Sequence, residues 1–201
     1  MARPTRWFSE TSEGHSRWYI DRFRAMAAQG ADLAGEARMI DAMVPRGARV
    51  LDAGCGPGRL GGELHARGHQ VVGVDVDPAL VAAAEQDHPG PTWLVGDLSE
   101  LDLPARGVTG GFDAAVMAGN VICFVAPGSE TDVLAAVGGH LKPEGVLVVG
   151  FGMGRTLTVE EFDEHVAAAG LRVRQRFGTW DLEPWTPDSD FVVSVLHRGE
   201  A

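Results

Sequence analysis

The chain has a single lysine (Lys142) and a single tyrosine (Tyr19) among its 201 residues. Its two cysteines, Cys55 and Cys123, lie far apart, which makes neither a disulfide framework nor a zinc-ligand set. A reducing compartment, the cytoplasm, is the expected setting. No apolar run approaches the roughly 18 residues a membrane helix needs. Met1 to Glu10 holds no apolar core of the kind a signal peptide carries. Net positive charge is also lacking: the formal charge is −11. Binding a phosphate backbone requires a basic face, so neither nucleic acid nor membrane is expected as the main partner.

What is present suits a folded domain. Hydrophobic residues make up 45% of the chain and charged residues 22%, too apolar for a disordered protein. A chain of this length buries roughly 70% of its unfolded surface and needs no disulfide or metal to hold a core. Short apolar runs alternate with amphipathic stretches, the pattern of an α/β fold with a parallel sheet. Strands are expected at 49–52, 70–75, 92–95, 112–118, 146–151, 171–177 and 190–196. Helices are expected at 59–67, from Pro78 to about Gln86, and at 129–140. Asp77 is the expected N-cap of the second of these, with Pro78 at its first position, and Ser129 that of the third. Thr158 and Glu161 form a capping box for a further helix that ends at Gly170. Lys142-Pro143-Glu144-Gly145 reads as a turn, and a Trp/Pro-rich loop fills 178–189. Residues 1–45 hold two further helical stretches, His15–Gln29 and Leu33–Met43, read as a helical lid on the same domain as 46–201.

The informative segment is Val50-Leu51-Asp52-Ala53-Gly54-Cys55-Gly56-Pro57-Gly58: a strand, an acid and three glycines at alternate positions, opening a helix. Such glycines serve dinucleotides, other nucleotides, or merely close contact between helix and strand. Three acids raise the information content. Asp52 precedes the glycines, Asp75 ends the second strand about 20 residues beyond the loop, and Asp97 ends the third. Ligands of open α/β sheets bind at this carboxyl rim. Each acid also has a plain role available as a helix N-cap or loop anchor.

From Arg46 to Leu196 the sequence resembles the class I S-adenosylmethionine-dependent methyltransferases. The resemblance rests on VLDAGCGPGRL, GVDVDPAL, VGDL, FDAAVMAGN and LKPEGVLVVGF. It implies a seven-stranded, mostly parallel sheet of order 3-2-1-4-5-7-6, the last strand antiparallel, with helices on both faces. It implies S-adenosyl-L-methionine as cofactor and S-adenosyl-L-homocysteine as product. Asp52 and the backbone of Ala53, Gly54, Cys55 and Gly56 would hold the methionine end. Asp75 would accept both ribose hydroxyls, with Val76 against the adenine. Asp97 would take the adenine amino group, with Leu98 stacked on the ring, and Ala118 would line the reactive end. The chemistry agrees: a sulfonium, an ammonium, two hydroxyls and an amino group all suit carboxylate partners.

Two rivals remain open at this stage. Gly56-Pro57-Gly58-Arg59-Leu60-Gly61 also matches the G-x-G-x-x-G of a nicotinamide-dependent oxidoreductase. Against that, Pro57 has no amide to offer a pyrophosphate, and the lone tyrosine and lysine form no Tyr-x-x-x-Lys arrangement. The other rival is a cofactor-binding protein that does not catalyse. A P-loop is excluded, because no Gly-Lys-Ser/Thr follows the glycines.

Methyl transfer from sulfur is a one-step displacement that needs alignment more than acid–base chemistry. No catalytic triad is therefore expected, and the candidates are Asn120, Tyr19 and His15. Gly119-Asn120-Val121-Ile122 stands where relatives acting on nucleic-acid bases or protein glutamine carry an Asn-Pro-Pro-Tyr-like motif. A small-molecule acceptor is expected instead, with the protein a monomer or homodimer. His15, Trp18, Tyr19 and Arg22 share a helical face: either a lid with Arg22 near the cofactor carboxylate, or a surface helix with its aromatics packed on the sheet edge. Trp180 and Trp185 either wall the substrate site or anchor their loop. His140 suits a helix C-terminus through its charge. No metal site is expected, since Gly68 separates His65 from His69.

Overall fold

The computed structural model describes residues 4–199 of the chain, so the outermost residues of both expected segments lie outside the described residues. Seven strands form one sheet: β1 (Arg49–Ala53), β2 (Gln70–Asp75), β3 (Thr92–Val95), β4 (Phe112–Met117), β5 (Leu141–Gly152), β6 (Leu171–Phe177) and β7 (Phe191–Arg198). Their order is β3-β2-β1-β4-β5-β7-β6, as the resemblance implies. β1 to β5 pair in parallel, and β7 runs antiparallel to both β5 and β6.

Register turns the alternation of each strand into two apolar faces. Val72, Leu51, Ala115, Leu147 and Leu196 are successive partners across the sheet. They point into the larger core, which is closed by α6 (Val121–Phe124), α7 (Glu130–Gly139) and α8 (Val159–Ala168). One residue out of phase, Val50, Val116 and Val148 face the other way, onto α3 (Gly35–Met43) and α4 (Arg59–Ala66). α5 (Pro78–Asp87) packs on β2 and β3. Ala37, Met39 and Ile40 of α3 are buried, so this helix belongs to the layer that covers the sheet.

Two more helices precede that layer, α1 (Arg6–Ser9) and α2 (His15–Ala28). Ile20 of α2 is buried against Leu80 and Ala83 of α5. The Arg6 guanidinium reaches Glu130 at 3.0 Å, and the Arg6 amide donates to the Val125 carbonyl at 3.4 Å. These ties lay α1 and α2 across the carboxyl ends of the central strands.

The expected caps form. Asp77 accepts from the Ala79 amide with Pro78 at the first helical position, and Thr158 and Glu161 close their capping box. Two local expectations need correction. Lys142–Gly145 is no simple turn: β5 already pairs through Leu141 with Phe112, then resumes at Val146 opposite Ala114. Four residues thus bulge opposite Asp113, whose carboxylate holds the Lys142 ammonium at 2.7 Å. Ser129 does not cap α7 with its side chain; its hydroxyl donates to the Ala126 carbonyl. His140 uses both ring nitrogens, with Nδ1 2.8 Å from the Ala136 carbonyl and Nε2 facing the Leu103 amide at 3.3 Å. The ring thus ties the Leu103 loop to the end of α7, a structural role.

Candidate functional site

The glycine loop begins where β1 stops. The Gly54 and Cys55 amides donate to the Val74 carbonyl at 2.7 and 3.0 Å, which hangs the loop on β2. Gly54, Gly56 and Gly58 have φ of +84°, +53° and +81°, a region side chains avoid. The glycines divide by what lies next to them. Beneath the loop is the indole of Trp93, its Nε1 bonded to the His88 carbonyl at 3.0 Å. A Cβ on Gly61 would lie 2.7 Å from that ring, one on Gly58 3.1 Å, and one on Gly73 would overlap it. Those three glycines make room for a tryptophan. Gly54 and Gly56 instead line a cavity.

The three acids also divide. Asp52 lies within β1, in phase with Gly73 and Val116, so its side chain turns to the α4 side. Its Oδ2 accepts from the Gly61 amide at 2.9 Å. Burial pushes this carboxyl up to about 7, against the pull of Arg59 and the Gly61 amide. Asp75 sits at the end of β2 and faces the cavity. Its Oδ2 accepts from the Gly56 amide at 2.8 Å and its Oδ1 from the Asp77 amide at 2.9 Å. Burial raises it to about 6, opposed by those amides. Each oxygen keeps a second lone pair for a ligand hydroxyl. Asp97 lines the same cavity while Oδ1 caps the turn at Leu98–Glu100 through the Ser99 amide and hydroxyl.

The narrow cavity, of about 90 Å³, is lined by Gly54, Gly56, Asp75, Val76, Asp97, Leu98 and Ala118 of the expected set. Asp52, Ala53 and Cys55 stand behind it. The Cys55 side chain packs with Val81, Ala84 and Trp93, and burial raises its thiol well above the ordinary value. Sequence reasoning missed Thr5, Trp7, Leu80, Val121, Phe124 and Val125, which with Tyr19 and Gly119 complete the lining. α1 and α6 are single turns, too short for a period to reveal; the available signal for Trp7 is that Trp7, Phe8, Trp18, Tyr19 and Phe23 all fall in the first 23 residues.

Trp7 roofs the site. Its Nε1 donates to Asp77 Oδ2 at 2.8 Å, an oxygen that also receives the Ser16 hydroxyl. Its ring meets those of His15, Tyr19 and Phe124 edge-on, with centroids 5.0, 5.6 and 5.7 Å away. Trp7, Tyr19, Gly119 and Phe124 also border a wider cavity of about 500 Å³. There His15, Trp18, Tyr19 and Arg22 meet, as their shared helical face predicts, together with Asn120 and Arg155. Burial raises the Tyr19 phenol above its usual range, so near neutral pH it is a hydrogen-bond donor and not a base. Asn120 is held at φ +69° with Oδ1 accepting from the Gly152 amide at 2.6 Å. Trp180 packs against Gly150 and Trp185 against the larger core; both anchor their loop and line neither cavity.

Among the described residues no group of acids, histidines and cysteines is arranged to hold a metal. No helix among them is long and apolar enough to cross a membrane. The acceptors and shape fit an adenosine-bearing sulfonium: Asp75 at the rim, Val76, Leu80 and Leu98 as an apolar slot, Asp97 beside it.

Residues 50–145 match the family described as methyltransferase domain. The solved structure of a TehB-like SAM-dependent methyltransferase from Corynebacterium glutamicum is 44% identical to this chain. It aligns over 93% of this chain and 100% of that one, with a TM-score of 0.87. Among curated proteins, the putative methyltransferase YqeM of Bacillus subtilis is 28% identical over 115 residues, 55% of this chain and 45% of its own length. Ribosomal RNA small subunit methyltransferase C of Chromohalobacter salexigens is 42% identical over 72 residues, 36% of this chain and 21% of its own. The chain thus spans less than half the length of these curated relatives. A relative 44% identical along its full length, the strand order and the acid-rimmed glycine loop agree: the chain belongs to the class I S-adenosylmethionine-dependent methyltransferases, with S-adenosyl-L-methionine as cofactor.

Proposed function

We propose that the chain transfers the cofactor's methyl group by direct displacement to a small molecule held beneath α1 and α2. One observation carries this reading: the aromatic-walled wider cavity adjoins the narrow one, sharing Trp7, Tyr19, Gly119 and Phe124 as lining. The bound cofactor supplies an electrophilic methyl on a sulfonium, with a neutral thioether as leaving group. The chain's own residues bind and orient. Asp75 accepts the ribose hydroxyls, Val76 and Leu98 sandwich the adenine, and Asp97 accepts its amino group. The backbone of Ala53 to Gly56 lies along the methionine end, Asp52 sets that backbone through Gly61, and Arg22 takes the terminal carboxylate. Ala118 and Gly119 border the reacting carbon. Tyr19 and Asn120 offer donors to the acceptor, and the rings of α1 and α2 exclude water. Alignment of this kind contributes up to about 7–11 kcal/mol.

Ribosomal RNA relatives suggest a nucleic-acid acceptor, but a chain of net charge −11 has little to offer a phosphate backbone. Residues 1–45 serve as a lid through α1 and α2, and the protein works as a soluble cytoplasmic enzyme. The test is methyl-labelled cofactor incubated with the protein and a cell extract split into small metabolites and total RNA. Label in the metabolite fraction supports the reading. Label confined to RNA overturns it, and cofactor binding without any label transfer would mark a binding protein.

A further inference from the structure

We propose that the methyl acceptor is a small, flat molecule carrying an anionic group, and that Arg155 docks that group. The proposal rests on the methyl-transfer reading above and deepens it. The wider cavity is walled by the rings of Trp7, His15, Trp18, Tyr19, Phe23 and Phe124, which favours a flat occupant. Its carboxylates are already engaged. Asp32 holds Arg38 at 2.8 Å, and Glu36 holds Arg59 at 2.6 Å. Arg22 and Arg155 have no carboxylate within ion-pairing distance among the described residues. Their contacts are ring faces: Arg22 lies 5.5 Å from the Trp18 ring and Arg155 6.0 Å from the Phe124 ring. In a chain of net charge −11, the uncompensated charge facing this cavity is positive.

Placement separates the two guanidiniums. Arg22 is on α2 three residues after Tyr19, whose phenol feels the charges of Arg22, Arg59, Asp75 and Glu36 together. That side lies toward the glycine loop, where a Cβ on Gly56 would sit 3.6 Å from the Tyr19 ring. Arg155 comes from the loop after β5. Gly152, which starts that loop, has its amide bound by Asn120 Oδ1 at 2.6 Å, and a Cβ there would lie 3.7 Å from Arg155 Nε. The loop after β5 is thus pinned to the loop after β4, next to Phe124 at the junction of the two cavities. A guanidinium fork matches a carboxylate or similar oxyanion in a bidentate pair. An acceptor anchored there, with its ring against Phe124, presents its nucleophile where the cavities meet. The same charge logic disfavours a cationic acceptor, which would face the Arg155 guanidinium.

The test uses the full chain saturated with S-adenosylhomocysteine and three probes that share one ring: indole-3-acetate, indole-3-acetamide and tryptamine. Calorimetry is expected to show the carboxylate binding at least ~10-fold tighter than the amide, with the amine weakest. Arg155→Gln is expected to remove that preference, weakening the carboxylate ~10-fold while the amide and S-adenosylhomocysteine keep their affinities. Equal or tighter binding of the amide or amine overturns the proposal. So does an unchanged carboxylate affinity in Arg155→Gln, or no carboxylate binding at about 10 mM. Failure of S-adenosylhomocysteine itself to bind would sink the methyl-transfer reading, whereas its binding with no charge preference among the probes sinks this inference alone.

Discussion

Asp75 sets a pH dependence with an unusual signature. Its carboxyl is raised to about 6 by burial, although two backbone amides already bond it. Above that pH the carboxylate has a lone pair on each oxygen free for a ribose hydroxyl. As the pH falls through about 6 it protonates and loses acceptor capacity. At pH 5 only about one molecule in eleven keeps the charge, so affinity for S-adenosylhomocysteine should fall about tenfold between pH 7.5 and 5. Fold stability should move the other way. The folded-state pKa lies above the roughly 3.9 of an unfolded aspartate, so the folded state binds the extra proton. Stability therefore rises as the pH falls from neutral toward 4. Affinity lost while the melting temperature climbs cannot be blamed on unfolding. Asp75→Asn should bind at least ~10-fold more weakly at pH 7.5, because a charged acceptor is gone. It should also flatten the pH profile. The assay is calorimetric titration at pH 5, 6 and 7.5 beside thermal melts. A flat wild-type affinity, or wild-type affinity in Asp75→Asn, would refute the reasoning.

Two further predictions concern the framework under the site. Asp52 is buried and raised to about 7, so the ionised form is strained at alkaline pH. Asp52→Asn keeps an acceptor for the Gly61 amide and should stabilise the chain by an amount on the order of a few kcal/mol at pH 8, fading as the pH falls from about 7 toward 4. Thermal melts across that range check it, and a lower melting temperature at pH 8 would count against the burial argument. Gly73→Ala drives a methyl into the Trp93 indole and should cost about 1–3 kcal/mol as an overpacked core. Trp93→Phe added to it should recover part of that loss in a denaturant-melt double-mutant cycle; strict additivity would show that the ring is not what Gly73 accommodates.

The readings that held share a physical property, and so do those that did not. Asp77-Pro78 and Thr158 with Glu161 act within one helical turn, so their caps are legible one residue at a time. The sheet order came from the family resemblance, because pairing β1 with β4 or β5 with β7 depends on residues far apart in sequence. Lys142-Pro143-Glu144-Gly145 has the local chemistry of a turn, yet β4 supplies a partner strand that no local signal announces. The acids make the sharpest case. All three end or nearly end a strand, and all three bond backbone amides, as a plain structural role predicts. What separates them is phase. β1 continues through Ala53, so Asp52 alternates away from the Leu51 and Ala53 side and turns behind the loop. Asp75 is the last residue of β2, where the chain leaves the pleat and its side chain opens to the ligand cavity. A one-residue difference in where a strand stops thus decides which carboxylate meets the ligand and which holds the loop that meets it. Strand ends are the feature that a sequence pattern resolves least well.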